Sequence, residues 1–118
     1  MNVLLIILIA NVTAAVGQLL LKIGMGNVGQ VDGIYFEKVV QMFTNPIVIA
    51  GLVTYAVGTV FWLTALSRKD LSYVYPFFAV TIILVLLLSK FVLHEEIGTY
   101  RAAGVLVIIG GIFLISRT

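Results

Sequence analysis

The chain of 118 residues has no cysteine, which excludes disulfides, thiolate metal sites and cysteine nucleophiles and leaves the redox state of its compartment undetermined. Charge is scarce as well. Asp, Glu, Lys and Arg make up 10% of the residues, against about 25% in ordinary soluble domains. The seven Lys and Arg stand singly or in one pair, and with a formal net charge of +2 they form no basic stripe that would engage nucleic acid. Two prolines, one tryptophan and one histidine complete the list of scarce residues. What is abundant is apolar: 62% of residues are hydrophobic and the mean hydropathy is +1.21. A soluble fold of this length has too little interior to hide that surface, so lipid must cover it.

Charge-free runs extend from Val3 to Leu21, Pro46 to Ser67, Leu71 to Ser89 and Ala102 to Ser116. A helix needs about 20 residues to cross about 30 Å of hydrocarbon. The first three runs are long enough. The fourth reaches that length by extending back through Thr99 and Tyr100, with Tyr100 suited to the interface and Arg101 able to snorkel. Backbone groups cannot stay unpaired in lipid, and the alternation a barrel would need is absent. The expectation is an all-α integral membrane protein: one domain over residues 1–118, with four transmembrane helices in an up-down bundle. The spans are expected at about 3–22, 46–67, 71–92 and 99–116. No Lys or Arg precedes the first run, and it is too long for the core of a secretory signal, so it reads as a retained helix.

Between the first two spans, Gly24 to Gly33 reads as a glycine-rich loop. Apolar residues then recur at Tyr35, Val39, Met42 and Phe43, which predicts an interfacial amphipathic helix over about 34–44. Asn45 and Pro46 supply an N-cap and a first-turn proline for the second span. With four spans, Arg68, Lys69 and Arg117 share one membrane face, and Lys22, Lys38, Lys90 and Arg101 share the other. So even a distribution leaves two orientations open: one chosen from loop details, or copies inserted both ways and paired antiparallel.

The polar residues inside the spans are few and patterned. Asn11, Gln18 and Lys22 lie seven and four residues apart, within about 40° of one another on a helix, and form one stripe beside Ala14 and Ala15. Such a stripe either binds substrate in a cavity or bonds one helix to another, and Lys22 can also simply snorkel. Tyr55, Gly58 and Trp62 share a face of the second span and either line a cavity or pack. Tyr73 and Tyr75 open the third span beside Pro76, which either bends the helix and frees a carbonyl or sits harmlessly in its first turn. Gly104 and Gly111, with Gly110 adjacent, make a smooth stripe on the fourth span for close helix contact, including contact between subunits. Asp32, Glu37, Asp70, Glu95 and Glu96 all fall in loops or at helix ends, so no acid is placed to exchange a proton for a cationic cargo. Lys22, Lys90 and Arg101 fall near one face, where they either meet an anionic head group such as phosphate or are solvated separately. No catalytic set, metal-ligand cluster or phosphate loop is visible, His94 included, and neither enzyme chemistry nor a cofactor is expected.

Gly17-Gln18-Leu19-Leu20-Leu21-Lys22, Tyr75-Pro76, His94-Glu95-Glu96, and Gly104 through Gly110-Gly111 together resemble the drug/metabolite transporter superfamily in its four-helix, small multidrug resistance-like branch. The resemblance covers nearly the whole chain and implies antiparallel or pseudo-symmetric dimers. Multidrug members of that branch carry an essential glutamate in the first helix, and this sequence has Ala14 at the corresponding position. The Gly-Gln-x-x-x-Lys pattern, the Tyr-Pro pair and the longer first loop are more similar to EamA-like half-transporters and to aminoarabinose-phosphoundecaprenol flippase subunits, which implies movement of lipid-linked sugars across the bacterial inner membrane. Carried onto this sequence, the resemblance makes Gln18, Lys22 and Tyr75 cavity residues and Gly104 and Gly111 dimer contacts.

The expected function is therefore a small dimeric transporter working by alternating access, a flippase for a polyprenyl-phosphate-linked sugar or a similar amphipathic anionic lipid. Phosphate is expected near Lys22 and Arg101, with the sugar passing along Asn11 and Gln18. The alternatives are export of small cationic or polar metabolites held by Tyr55, Trp62 and Tyr75, and a non-transporting subunit of a larger membrane complex. The expected partners are membrane lipid and either a second copy or a paralogue.

Overall fold

The computed structural model describes residues 2–33 and 35–117. Ile34, the expected first residue of the interfacial helix, and the chain ends Met1 and Thr118 lie outside them. Among the described residues six helices follow in order: α1 (Val3–Val28), α2 (Phe36–Thr44), α3 (Pro46–Leu66), α4 (Leu71–Phe77), α5 (Ala79–Phe91) and α6 (Thr99–Ser116). Helices α4 and α5 are two halves of one kinked span, so four membrane-length helical segments remain, as expected.

The first span departs from its expected end. It runs on through the supposed loop to Val28 and stops only at Gly29, whose φ of 94° no side-chain-bearing residue adopts easily and whose N–H reaches Met25 O at 2.9 Å. Gly24 is a contact surface here, not a breaker. A Cβ on it would lie 2.5 Å from Val48 Cγ2 and 2.8 Å from the Val48 backbone nitrogen. The same close approach recurs along the α1–α3 seam: a Cβ on Gly17 would stand 3.1 Å from Gly51 O, and one on Gly58 would stand 3.3 Å from Ala10 O. In lipid no hydrophobic force pushes helices together, so small residues that let backbones touch are what hold this pair.

Helix starts follow local chemistry. Asn2 Oδ1 accepts from Leu4 N at 2.9 Å, and Asn45 Oδ1 accepts from Ile47 N and Val48 N at 2.9 and 3.2 Å, with Pro46 in the first turn of α3. Between them α2 buries none of its residues. It turns Val39 and Met42 toward the protein and leaves Phe36 and Phe43 exposed, suited to the boundary between head groups and acyl chains. The hydroxyls of Thr13, Thr54, Thr59 and Thr64 donate to carbonyls four residues back, so Thr13 packs against Gly58 in the α1–α3 seam and the others sit on α3 with no hydroxyl left unpaired.

Pro76 lies well inside α4, which starts at Leu71, so the bending alternative holds. Lacking an N–H, it cannot continue the ladder, and the span breaks at Phe78. Below the break, Ile6 and Ile7 of α1, Ala65 of α3 and Val74 and Phe77 of α4 form the buried apolar core, with Phe61, Trp62 and Ile112 packed against it. Helix α6 lies at the periphery against α4 and α5, and none of its residues is buried.

Candidate functional site

The polar stripe of α1 sorts into two grooves. The larger of the two has a volume of about 360 Å³ and is lined by Ala10, Asn11 and Ala14 of α1, by Tyr55, Gly58, Thr59 and Trp62 of α3, and by Tyr75 and Phe78 at the break. Its wall is aromatic. Trp62 meets Phe78 edge-on at 5.5 Å between ring centroids and Tyr75 at 6.3 Å, while Tyr75 and Phe78 stack at 19°. Tyr75 is 63% exposed, so the wall opens to the outside of the chain. Ala14 contributes only a methyl group to this surface.

Asn11 forms the floor and is 2% exposed. Its Nδ2 donates to Phe77 O at 3.0 Å, and its Oδ1 accepts from Thr81 Oγ1 at 2.9 Å. At the break, Thr81 N turns to Phe78 O, one residue later than a regular helix would choose, and Asn11 takes up the carbonyl this leaves. In this structure Asn11 bonds α1 to the kink.

The second groove, of about 290 Å³, lies toward the other end of α1. It is lined by Ala15, Gln18, Leu19 and Lys22 of α1, by Val85, Leu88 and Ser89 of α5, and by Leu93 and Glu95 just beyond α5. Gln18 and Lys22 are exposed to it and Glu95 is half-buried. Glu95 is carried there by a tight reversal: His94 adopts a φ of 57°, and Glu95 N reaches Ser89 O at 2.9 Å.

Of the seven residues expected to bind substrate, Asn11, Tyr55, Trp62 and Tyr75 meet in the aromatic groove, and Gln18 and Lys22 meet in the other. Arg101, exposed on the first turn of α6, lines neither. Gly104 and Gly111 are open on the side where a Cβ would stand, with no neighbouring atom within 4 Å of that point, although Gly111 is half-buried. Phe78, Thr81 and Glu95 were missed. Thr81 and Glu95 had a signal, one as a hydroxyl inside an otherwise apolar run and the other as an acid in a turn facing Lys22, whereas Phe78 looks like any other lipid-facing aromatic.

Four spans, a groove reaching mid-span and a second groove nearer the end of the same helix define a small membrane transporter. The EamA-like transporter family matches residues 30–117, and the chain belongs to that family. Over 115 residues it is 30% identical to the "Probable 4-amino-4-deoxy-L-arabinose-phosphoundecaprenol flippase subunit ArnE" of Aeromonas hydrophila, covering 98% of this chain and 96% of the relative. The protein of the same name from Pseudomonas aeruginosa is 33% identical over 67 residues, 57% of this chain and 58% of that one, so the match spans a little over half its length. Another from Photorhabdus laumondii is 37% identical over 68 residues, 58% of this chain and 60% of the relative. No solved structure matches the chain.

Proposed function

We propose that the chain is a subunit of a small dimeric transporter that works by alternating access and flips a polyprenyl-phosphate-linked sugar, or a similar amphipathic anionic lipid, across the bacterial inner membrane. The observation that carries this proposal is the continuity of α1. Gln18 and Lys22 line one groove, and about 10 Å further along the same helix Asn11 and Ala14 line the other. A head group whose phosphate is held at Lys22 can pass its sugar toward Trp62 and Tyr75 while the prenyl tail stays in lipid outside the helices. The names of the relatives, each a flippase subunit acting on a sugar linked to a polyprenyl phosphate, support the same substrate class. Arg101 serves as a head-group contact at the membrane surface, outside the grooves. The open Gly104 and Gly111 on the unburied α6 support pairing through that helix, with an antiparallel second copy or with a paralogue of opposite orientation.

The test is Lys22→Ala in the assembled protein reconstituted in vesicles with a labelled polyprenyl-phosphate sugar. Flipping is expected to be lost while the dimer stays intact, and full flipping by the variant would remove Lys22 from the site. The aromatic wall around Trp62 favours a second reading, export of small cations held against the ring faces. Saturable binding of tetraphenylphosphonium that is lost in Trp62→Ala would decide for it.

A further inference from the structure

A third groove lies apart from the two that share the polar stripe of α1. It has a volume of about 440 Å³ and is walled by Asn27 and Val28 at the end of α1, by Lys38, Gln41 and Thr44 of α2, and by Asn45 ahead of α3. Among the described residues no acidic side chain lines it; Asp32 and Glu37, the nearest acids in the sequence, are exposed elsewhere. The bonds already made in this groove decide what it has left to offer. Lys38 Nζ donates to Val28 O at 3.4 Å, which holds half-buried Lys38 over the end of α1 and leaves its other N–H groups unused. Asn45 Oδ1 is taken by Ile47 N and Val48 N, so only its Nδ2 donors remain. The exposed amides of Asn27 and Gln41 make no hydrogen bond among the described residues. What remains is one positive charge and a surplus of N–H donors with no carboxylate to oppose them, which is the chemistry of a phosphate site.

The depth of the groove says where such a phosphate comes from. Phe36, Val40 and Phe43 stand three or four residues apart, all exposed, and give α2 one continuous apolar face. A helix of that kind lies in the plane of the membrane boundary with its apolar side in the outermost acyl chains. The polar side of α2, which carries Lys38, Gln41 and Thr44, is then level with the lipid phosphates. We infer that this groove holds the phosphate of an anionic phospholipid from the surrounding bilayer, with Lys38, Asn45 Nδ2 and the Gln41 amide as its donors. A head group that also carries an ammonium finds no counter-charge there. The bound lipid pins α2 against the ends of α1 and α3. It is resident and not cargo, because no residue of α2 lines either groove on α1, and the site stands whatever those grooves carry.

The test titrates the full chain in detergent micelles with phosphatidylglycerol, phosphatidylcholine or glycerol phosphate and counts bound molecules by native mass spectrometry. Wild type is expected to bind phosphatidylglycerol about tenfold more tightly than phosphatidylcholine, the scale of one hydrogen bond to a charged group. Lys38→Gln is expected to erase that preference. Because this variant also loses the bond to Val28 O, Gln41→Ala is measured beside it: the Gln41 amide makes no bond within the chain, so its expected loss of about threefold in phosphatidylglycerol binding comes from the site alone. Lys90→Gln removes an exposed cation of the same membrane face outside the groove and is expected to change nothing. Equal binding of the two lipids by wild type, an intact preference in Lys38→Gln, wild-type affinity in Gln41→Ala, or an equal loss in Lys90→Gln would each overturn the site. Glycerol phosphate bound as tightly as phosphatidylglycerol would overturn the assignment to lipid and make a soluble phosphate ester the ligand.

Discussion

Asn11 Nδ2 donates to Phe77 O at 3.0 Å, joining the first span to the third where the third span's own hydrogen-bond ladder skips an oxygen. An amide inside a membrane helix is costly unless paired. Here it is paired twice, and the second bond, from Thr81 Oγ1, ties the other side of the break to the same residue. The kink at Pro76 and the polar residue on α1 are thus one structural device, and they also shape the floor of the aromatic groove.

Removing that device should cost stability in a graded way. Asn11→Ala, which strips both bonds and leaves Phe77 O bare, is expected to destabilise the folded protein by about 1–2 kcal/mol. Thr81→Val removes only one bond and should cost less. The unfolding midpoints of the two variants in a sodium dodecyl sulfate titration check the order, and equal midpoints would contradict it.

The α1–α3 seam gives a second contrast. Gly24→Ala places a methyl group against both the side chain and the backbone of Val48, so α3 must move. A loss of about 1–3 kcal/mol is expected. Gly104→Ala adds the same methyl group into open space and should leave the monomer's stability unchanged while shifting the dimer fraction, read by cross-linking at varied ratios of protein to lipid.

His94 adopts a left-handed backbone conformation that costs a non-glycine residue about 1 kcal/mol. His94→Gly relieves the strain but loosens the unfolded chain, so a gain of up to about 1 kcal/mol is expected, with His94→Val going the other way. Thermal unfolding in detergent reads both signs.

Orientation can be read directly because the chain has no cysteine of its own. Lys69→Cys and Gly98→Cys sit on opposite membrane faces, both exposed. If copies insert both ways, an impermeant thiol reagent added to intact cells labels the two variants to similar extents. Labelling of one alone would require a partner chain of opposite orientation for any antiparallel pair.

Much of the fold was legible because lipid imposes a simple rule: charge-free runs of sufficient length must become helices. Asn45 and Pro46 marked the start of α3 by chemistry that acts within four residues. Gly24 misled because glycine breaks helices in water but lets them touch in a membrane, and the deciding atom, Val48 Cγ2, is 24 positions away. The Asn11–Gln18–Lys22 stripe was visible from its angular spacing alone. That it divides between two grooves depends on where Phe78 and Glu95 come to rest, and this in turn depends on the break after Pro76 and the turn at His94, neither of which periodicity reports.

Helix α6 has the length and hydropathy to cross the bilayer, yet none of its residues is buried. Its packing within the chain rests on few residues, with Ile112 set against the apolar core, and the smooth Gly104–Gly111 ridge is left open. Where the chain is dilute in the membrane that ridge meets lipid; where chains are crowded, mass action brings a matching surface of a second chain to it. How much of this protein is properly assembled should then vary with the area of membrane it is spread over, and expression level becomes a structural variable.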